Sequence, residues 1–489
     1  MALAAALLGW MFDGFEMGLF PLVARPALRD LLGSTNDQEV GLWFAVATAG
    51  FLVGAATGGV LFGWLGDRLG RVRAMMLSIL TYAIFSGLCC VAQTAEQIAL
   101  LRFISALGMG GEWSLGVALV MEIWPDRSRG FLAGLIGAAA NFGYLLIALL
   151  GLGLTKILGG VETWLGNLGL PESWVQSLVA NSGWRLLMLA GAVPALLTFF
   201  IQWFVPESAR WQEEHGRGTT SHWAARDLIG VLVGGIGACV MIFLWAKEFP
   251  AEVRLPGSAA ALVVVTLGYT YPVFRYLRRF GAGSVSDRRT EATEEVWWFP
   301  IGRMWLGACL SGVALLGTWA AVQWAPSWAD DLTKGQVPEA KAYTQIWGSL
   351  GAILGTLAAA WAGKWVGRRI SYCFLCLTSL GSVLLLFQGN DRYGAFFLFC
   401  ALLAGTCTAS FYGWLPLYLP ELFRTRFRAT GQGFSYNFGR ILAAIGTLQT
   451  GALMKAGYPT ACSVMSLIYI VGMGIIWLAP ETKGQPLPE

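Results

Sequence analysis

The chain is dominated by long apolar segments joined by short polar loops, and this restricts its folds more than any other feature. Fourteen such segments fall at 3–24, 41–64, 74–93, 97–121, 130–153, 184–205, 228–246, 259–277, 302–324, 343–366, 371–388, 394–419, 429–450 and 459–479. A helix needs about 20 mostly apolar residues to cross the hydrocarbon of a bilayer. Backbone in lipid has no water to bond, so each segment must satisfy its own N–H and C=O groups, which a helix does. The two-residue alternation of membrane barrels is absent. The expected fold is an all-α polytopic membrane protein with fourteen spans.

Composition supports lipid as the solvent. Only 13% of the 489 residues are charged, where a soluble domain carries about 25%. The net charge of +4 is spread over short loops and gives no footprint for nucleic acid. Cys373 and Cys376 have CxxC spacing inside the apolar run SYCFLCLTSL, without the further ligands a metal site needs. His215 and His222 share one polar loop. Neither metal nor cofactor is expected.

Lys and Arg in the loops set orientation. With the N-terminus inside, the loops facing the cytoplasm carry nineteen Lys and Arg, and the opposite loops carry nine. Both termini are therefore expected in the cytoplasm, and the chain in the cell's inner (plasma) membrane. Trp near the ends of spans fits an interfacial belt, and 286–298 reads as an amphipathic helix on the cytoplasmic surface.

The chain also repeats. EIWPDRSRG at 122–130 is echoed by ELFRTRFRA at 421–429, each with an acid seven residues before an Arg. Pro206-Glu207-Ser208 is echoed by Pro480-Glu481-Thr482, and GWLGDRLGRVR at 63–73 by the stretch 360–369. Two six-helix halves, 1–206 and 301–489, account for the three echoes. The linker 207–300 then holds two extra helices, and 154–183 is an external insertion, read as a small lid or interfacial helix.

These motifs carry a family resemblance that covers essentially the whole chain. GWLGDRLGRVR looks like the loop signature of the major facilitator superfamily. RFISALGMGGEW, the Glu122 and Arg129 pair, PESARW, LPELFRTRFRATG and PETKG resemble the sugar-porter and metabolite:proton symporter branches. FDGFE at 12–16 is similar to the first helix of aromatic-acid and sialate symporters, and the two extra helices point to the sialate:proton symporters. The resemblance implies a carrier working by alternating access. One position departs from the pattern: Lys364 stands where the echo of Asp67 should be.

Charges inside apolar spans are costly, so they mark function. Asp13 and Glu16 lie three apart on one face of the first helix. Two carboxylates in a dehydrated cavity cannot both ionise easily, which suits proton coupling. Glu112 is a third candidate, with a structural pairing to Arg102 weighed equally. Arg102 and Arg440 each offer a planar fork for a substrate carboxylate, against the alternative of an internal ion pair. Asn141, Tyr144, Trp319, Gln323, Gln345, Tyr412 and Asn437 are further candidates for substrate contact. A cytoplasmic gate is expected from Gly63, Asp67, Arg68, Gly70, Arg71, Glu122, Arg129 and Glu207, with Arg368, Glu421, Arg428 and Glu481 in the second half.

No phosphate loop and no hydrolase or metalloprotease motif occurs, so an enzyme is not expected. The expected function is proton-coupled import of a small organic anion, an acidic sugar such as sialic acid leading. Neutral sugars or polyols and monocarboxylates are the alternatives, and a non-transporting receptor is the alternative of another class. The expected partners are the substrate, a proton and the bilayer, and nothing demands more than a monomer.

Overall fold

The computed structural model describes residues 2–123, 129–204, 207, 212, 225–283, 298–423 and 425–485. Its long helices are α1 (Ala2–Leu32), α2 (Asp37–Leu69), α3 (Arg71–Leu88), α4 (Ala95–Ile123), α5 (Arg129–Asn167), α6 (Glu172–Ala190) and α7 (Ala195–Phe204), followed by α8 (Ala225–Ala246) and α9 (Ala251–Gly283). The remainder comprises α10 (Trp298–Trp319), α11 (Ala325–Leu332), α12 (Ala340–Val366), α13 (Arg368–Gln388), α14 (Ala395–Ala409), α15 (Phe411–Tyr418), α16 (Thr425–Leu453), α17 (Gly457–Ser466) and α18 (Ile468–Ile475). Two expected spans are short helices in series, 394–419 as α14 with α15 and 459–479 as α17 with α18.

Eleven helical stretches among the described residues are long and apolar enough to cross a membrane. One of them, Gly431–Leu478, contains two of the expected spans. The expected spans 97–121 and 343–366 appear as α4 and α12, of 29 and 27 residues. Phe131, Leu196, Trp203, Leu267 and Phe374 are exposed. So many large apolar side chains on the outside suit lipid rather than water. The expected surface helix at 286–298 lies outside the described residues, apart from Trp298 at the start of α10.

α1–α7 and α10–α18 form two bundles that meet along two seams, with α5 on α12 and α2 on α16. α8 and α9 pack on each other and lean on α2, where the Thr57 and Tyr269 hydroxyls bond at 2.7 Å. The insertion at 154–183 is a helical hairpin. α5 continues to Asn167, and the start of α6 folds back on it around Leu165, Val175 and Val179.

The sequence echoes become geometry. Gly70 (φ 105°, ψ 152°) and Gly367 (φ 106°, ψ 161°) turn the chain through the same positive-φ conformation, each at the start of a helix. A Cβ is strained in such a conformation, so both positions favour glycine. The acid of each Pro-Glu motif reaches back to cap the helix that starts at one of these glycines, because helix N-termini present unpaired N–H groups. Glu207 accepts from the Val72 amide at 3.2 Å. Glu481 accepts from the amides of Arg368 and Arg369 at 2.9 and 3.0 Å. Burial pushes the Glu481 carboxyl up, but the amides of Arg368, Arg369 and Lys483 outweigh it and hold it below its ordinary value.

Gly367→Ala is expected to lower the melting temperature of the purified protein, since this glycine-only conformation costs another residue roughly 1–3 kcal/mol. Gly381→Ala, on α13 with open space around its Cβ, is expected not to lower it.

Candidate functional site

A cavity of about 190 Å³ lies between the two bundles. Trp10 and Asp13 of α1, Asn141 and Tyr144 of α5, Trp319 of α10, Gln345 of α12, Tyr412 of α15 and Arg440 of α16 all line it, together with Gln323. Its walls are mainly apolar, and Phe51 and Trp319 pack there with ring centroids 5.6 Å apart. Of the substrate-contact residues expected from sequence, Arg102 and Asn437 do not line this cavity.

Five arginines are buried among the described residues: Arg25, Arg102, Arg185, Arg368 and Arg440. Four of them have a carboxylate partner. Arg440 has none among the described residues. It donates to the Ala55 carbonyl at 3.2 Å and to Asn437 Oδ1 at 3.3 Å, and its guanidinium lies 5.0 Å from the Tyr436 ring centroid. Asn437 is thus a support for Arg440, wedged beside Gly59 of α2. The fork of a guanidinium matches the geometry of a carboxylate.

Arg102 has a different environment. Its guanidinium is 3.5 Å from Glu16 Oε1 and lies between the rings of Phe20 and Phe51, at 4.4 and 4.7 Å from their centroids. Ser105 Oγ also donates to Glu16 Oε1, at 3.1 Å. The internal pairing of Arg102 is therefore with Glu16 rather than with Glu112 or Asp13. Glu112 instead sits next to Asp13, with the Tyr82 hydroxyl beside it. Neither Glu112 oxygen, nor Asp13 Oδ1, has a hydrogen bond of normal geometry. The structure thus divides the acids into a neutralised Glu16 and an unneutralised Asp13–Glu112 pair, of which Asp13 reaches the cavity.

At the end of the bundle that bears the α1–α2 loop, bonds cross from one half to the other. Gln323 Nε2 donates to the Tyr144 hydroxyl at 2.7 Å. Gln345 Nε2 donates to the carbonyls of Gly18 and Tyr144 at 3.0 and 3.2 Å. Farther out, Arg25 of α1 pairs with Asp330 and Asp331 of α11 at 3.2 and 2.8 Å. Arg25 also pairs with Asp37 at 2.8 Å, and Lys341 with Asp330 at 3.6 Å. Sequence reading missed this cluster because its charges fall at helix ends and look like loop charges. The adjacent acids Asp330-Asp331, so close to an apolar span, were the available signal.

At the opposite end, Arg368 forms a two-bonded pair with Glu421 at 2.9 and 2.7 Å, and Thr482 Oγ1 donates to Glu421 at 2.6 Å. These contacts stay within the second half. Gly63 lies near the end of α2, and Gly70 forms the turn described above. The side chains of Asp67, Arg68, Arg71, Glu122, Arg129 and Arg428 lie outside the described residues.

Residues 1–231 and 336–488 match a family described as "Sugar (and other) transporter". A putative metabolite transport protein of Haemophilus influenzae is 24% identical, over 99% of this chain and 97% of its own length. A cis,cis-muconate transport protein of Acinetobacter baylyi is 25% identical, over 83% and 77%. A sialic acid transporter of Escherichia coli is 27% identical, over 53% and 56%. The xylose transporter XylE from E. coli, in an inward open conformation, superimposes with a TM-score of 0.65 at 16% identity, covering 99% of this chain and 97% of that one.

The Glu16–Arg102 pair gives a stability prediction. Arg102→Met strands a buried carboxylate and should cost about 3–5 kcal/mol, whereas removing both charges should be far milder. Thermal unfolding of Arg102→Met against Arg102→Met/Glu16→Gln in detergent measures the difference.

Proposed function

The chain belongs to the sugar (and other) transporter family, within the major facilitator superfamily, and we propose that it carries a small organic carboxylate across the cytoplasmic membrane by proton symport. It is a multi-pass membrane transporter and not an enzyme. In our reading both termini face the cytoplasm, residues 1–206 and 301–489 rock against each other about the cavity, and 207–300 joins them. The protein works as a monomer.

The observation that carries the proposal is the state of Arg440, a buried guanidinium at the cavity wall that shares the cavity with Asp13 but has no ion-pair partner among the described residues. A substrate carboxylate supplies the missing charge. Asp13, on the same cavity, holds the coupled proton together with Glu112. Two close carboxyls without a cation favour sharing one proton. Protonation removes the negative charge that competes for the guanidinium, so proton and carboxylate bind together. Release to the cytoplasm reverses both steps. Glu16 and Arg102 take no direct part in this reading, being matched to each other. Asp67, Arg68, Arg71, Glu122, Arg129 and Arg428 belong to the cytoplasmic gate with the Arg368–Glu421 pair, and Gly63 lets the helix ends approach there.

Size and wall chemistry bear on which carboxylate. A cavity of ~150 Å³ lined by apolar side chains holds benzene. The present 190 Å³, with aromatic walls and one guanidinium, suits a single flat ring or an unsaturated chain bearing a carboxylate. The similarity to a muconate carrier supports that class. An acidic sugar is the second reading, supported by the sialate resemblance and by the matched sialic acid transporter. It needs the cavity to widen and needs hydroxyl partners. Tyr144 and Gln323, which would serve, are bonded to each other.

Uptake of labelled benzoate and of N-acetylneuraminate into proteoliposomes, with and without an inward proton gradient, tests the proposal. Gradient-driven benzoate uptake is expected. Asp13→Asn should abolish the stimulation, and Arg440→Lys should raise KM by about tenfold or more, the loss of a two-bonded contact. Gradient-driven uptake of N-acetylneuraminate alone would favour the second reading, and uptake indifferent to the gradient would remove the proton from the mechanism.

A further inference from the structure

We infer that Arg25, Asp37, Asp330, Asp331 and Lys341 form a partner-exchange latch that sets how often the cavity opens at the α1–α2 end. The inference rests on the alternating-access reading above, in which that end faces outward. Arg25 lies in the first half and is 3% exposed, and its bonds to Asp330 and Asp331 join the two halves. Separating the halves must break both bonds. A buried charge left alone by such a break would be very costly.

The arrangement avoids that cost. Arg25 keeps Asp37, which belongs to its own half, at 2.8 Å. Asp330, with 8% of its side chain exposed, keeps Lys341, which belongs to its own half, at 3.6 Å. Asp331 has 37% of its side chain exposed, so water takes over its charge. Arg25 and Asp330, the buried members that pair across the seam, each therefore keep a partner within their own half. The closed state gains two cross pairs, and the open state leaves no buried ion bare. Such a cluster is bistable, as switching elements need to be.

This logic assigns a sign to each of the four residues around Arg25. Asp330 and Asp331 favour closure because they pair across the seam. Asp37 and Lys341 favour opening because they hold Arg25 and Asp330 after separation. A cluster that merely braced the fold would have no such division. The inner bonds of Tyr144 with Gln323 and of Gln345 with Gly18 form a second layer between the latch and the cavity, so the latch acts without touching the substrate.

The test is the labelling rate of Val322→Cys, a cavity-lining position, by a membrane-impermeant maleimide in right-side-out vesicles. Background from the nine native cysteines is measured in the parent protein. Asp331→Asn is expected to raise the rate, and Asp330→Asn to raise it further, by about tenfold, as for a typical coupling between two states. Lys341→Met and Asp37→Asn are expected to lower it. Shifts of the same sign in all four variants, or no shift in any, would overturn the inference. Labelling requires no substrate, so it can fail while the carboxylate proposal stands, and the reverse also holds.

Discussion

A charge inside a bilayer-spanning bundle needs a partner, and the distribution of those partners organises this protein. Arg102 is matched by Glu16 within the first half. Arg368 is matched by Glu421 within the second. Arg185 of α6 is matched by Asp30 of α1, an ion pair at the end of the first half that bears the helical hairpin. Arg25 is matched across the seam. Arg440 is left over among the described residues, at the wall of the cavity. The pairs that stay within a half tie its helices together, and the two pairs that cross hold the halves together.

The same economy separates the acids. Glu16 is a carboxylate in an ion pair, and Asp13 with Glu112 has no cation within pairing distance among the described residues. A buried acid without a cation is better held as the neutral form. One helix therefore presents two acids three residues apart in different roles, and the difference is made by which neighbour from α4 faces each of them. Arg102 and Glu112 lie ten residues apart on α4, so Glu16 meets one and Asp13 meets the other.

Much of this was legible in the sequence, for physical reasons. Length and apolarity fix helices, because lipid allows little else. The Pro-Glu echoes were legible as repeats, and the structure shows why they recur: each acid caps the helix after a positive-φ glycine. Arg440 and Asn141 were both legible as polar residues inside apolar spans, and both line the cavity. The pairing of Arg102 was not legible: sequence pointed to Glu112 or Asp13, and the packing of α1 on α4 selects Glu16. Asn437 looked like a ligand residue because it is polar and mid-span, yet its amide supports Arg440. The latch was invisible because its members are separated by about three hundred positions, and charges at helix ends are ordinary until two halves bring them together.

The most direct test of the central claim is a titration of the purified protein with benzoate, followed by the fluorescence of the cavity tryptophans Trp10 and Trp319, with benzamide as the uncharged counterpart. The account predicts binding of benzoate by the natural protein, no binding of benzamide at similar concentrations, and loss of benzoate binding in Arg440→Met while the melting temperature holds. Equal binding of benzoate by the natural protein and by Arg440→Met would contradict it.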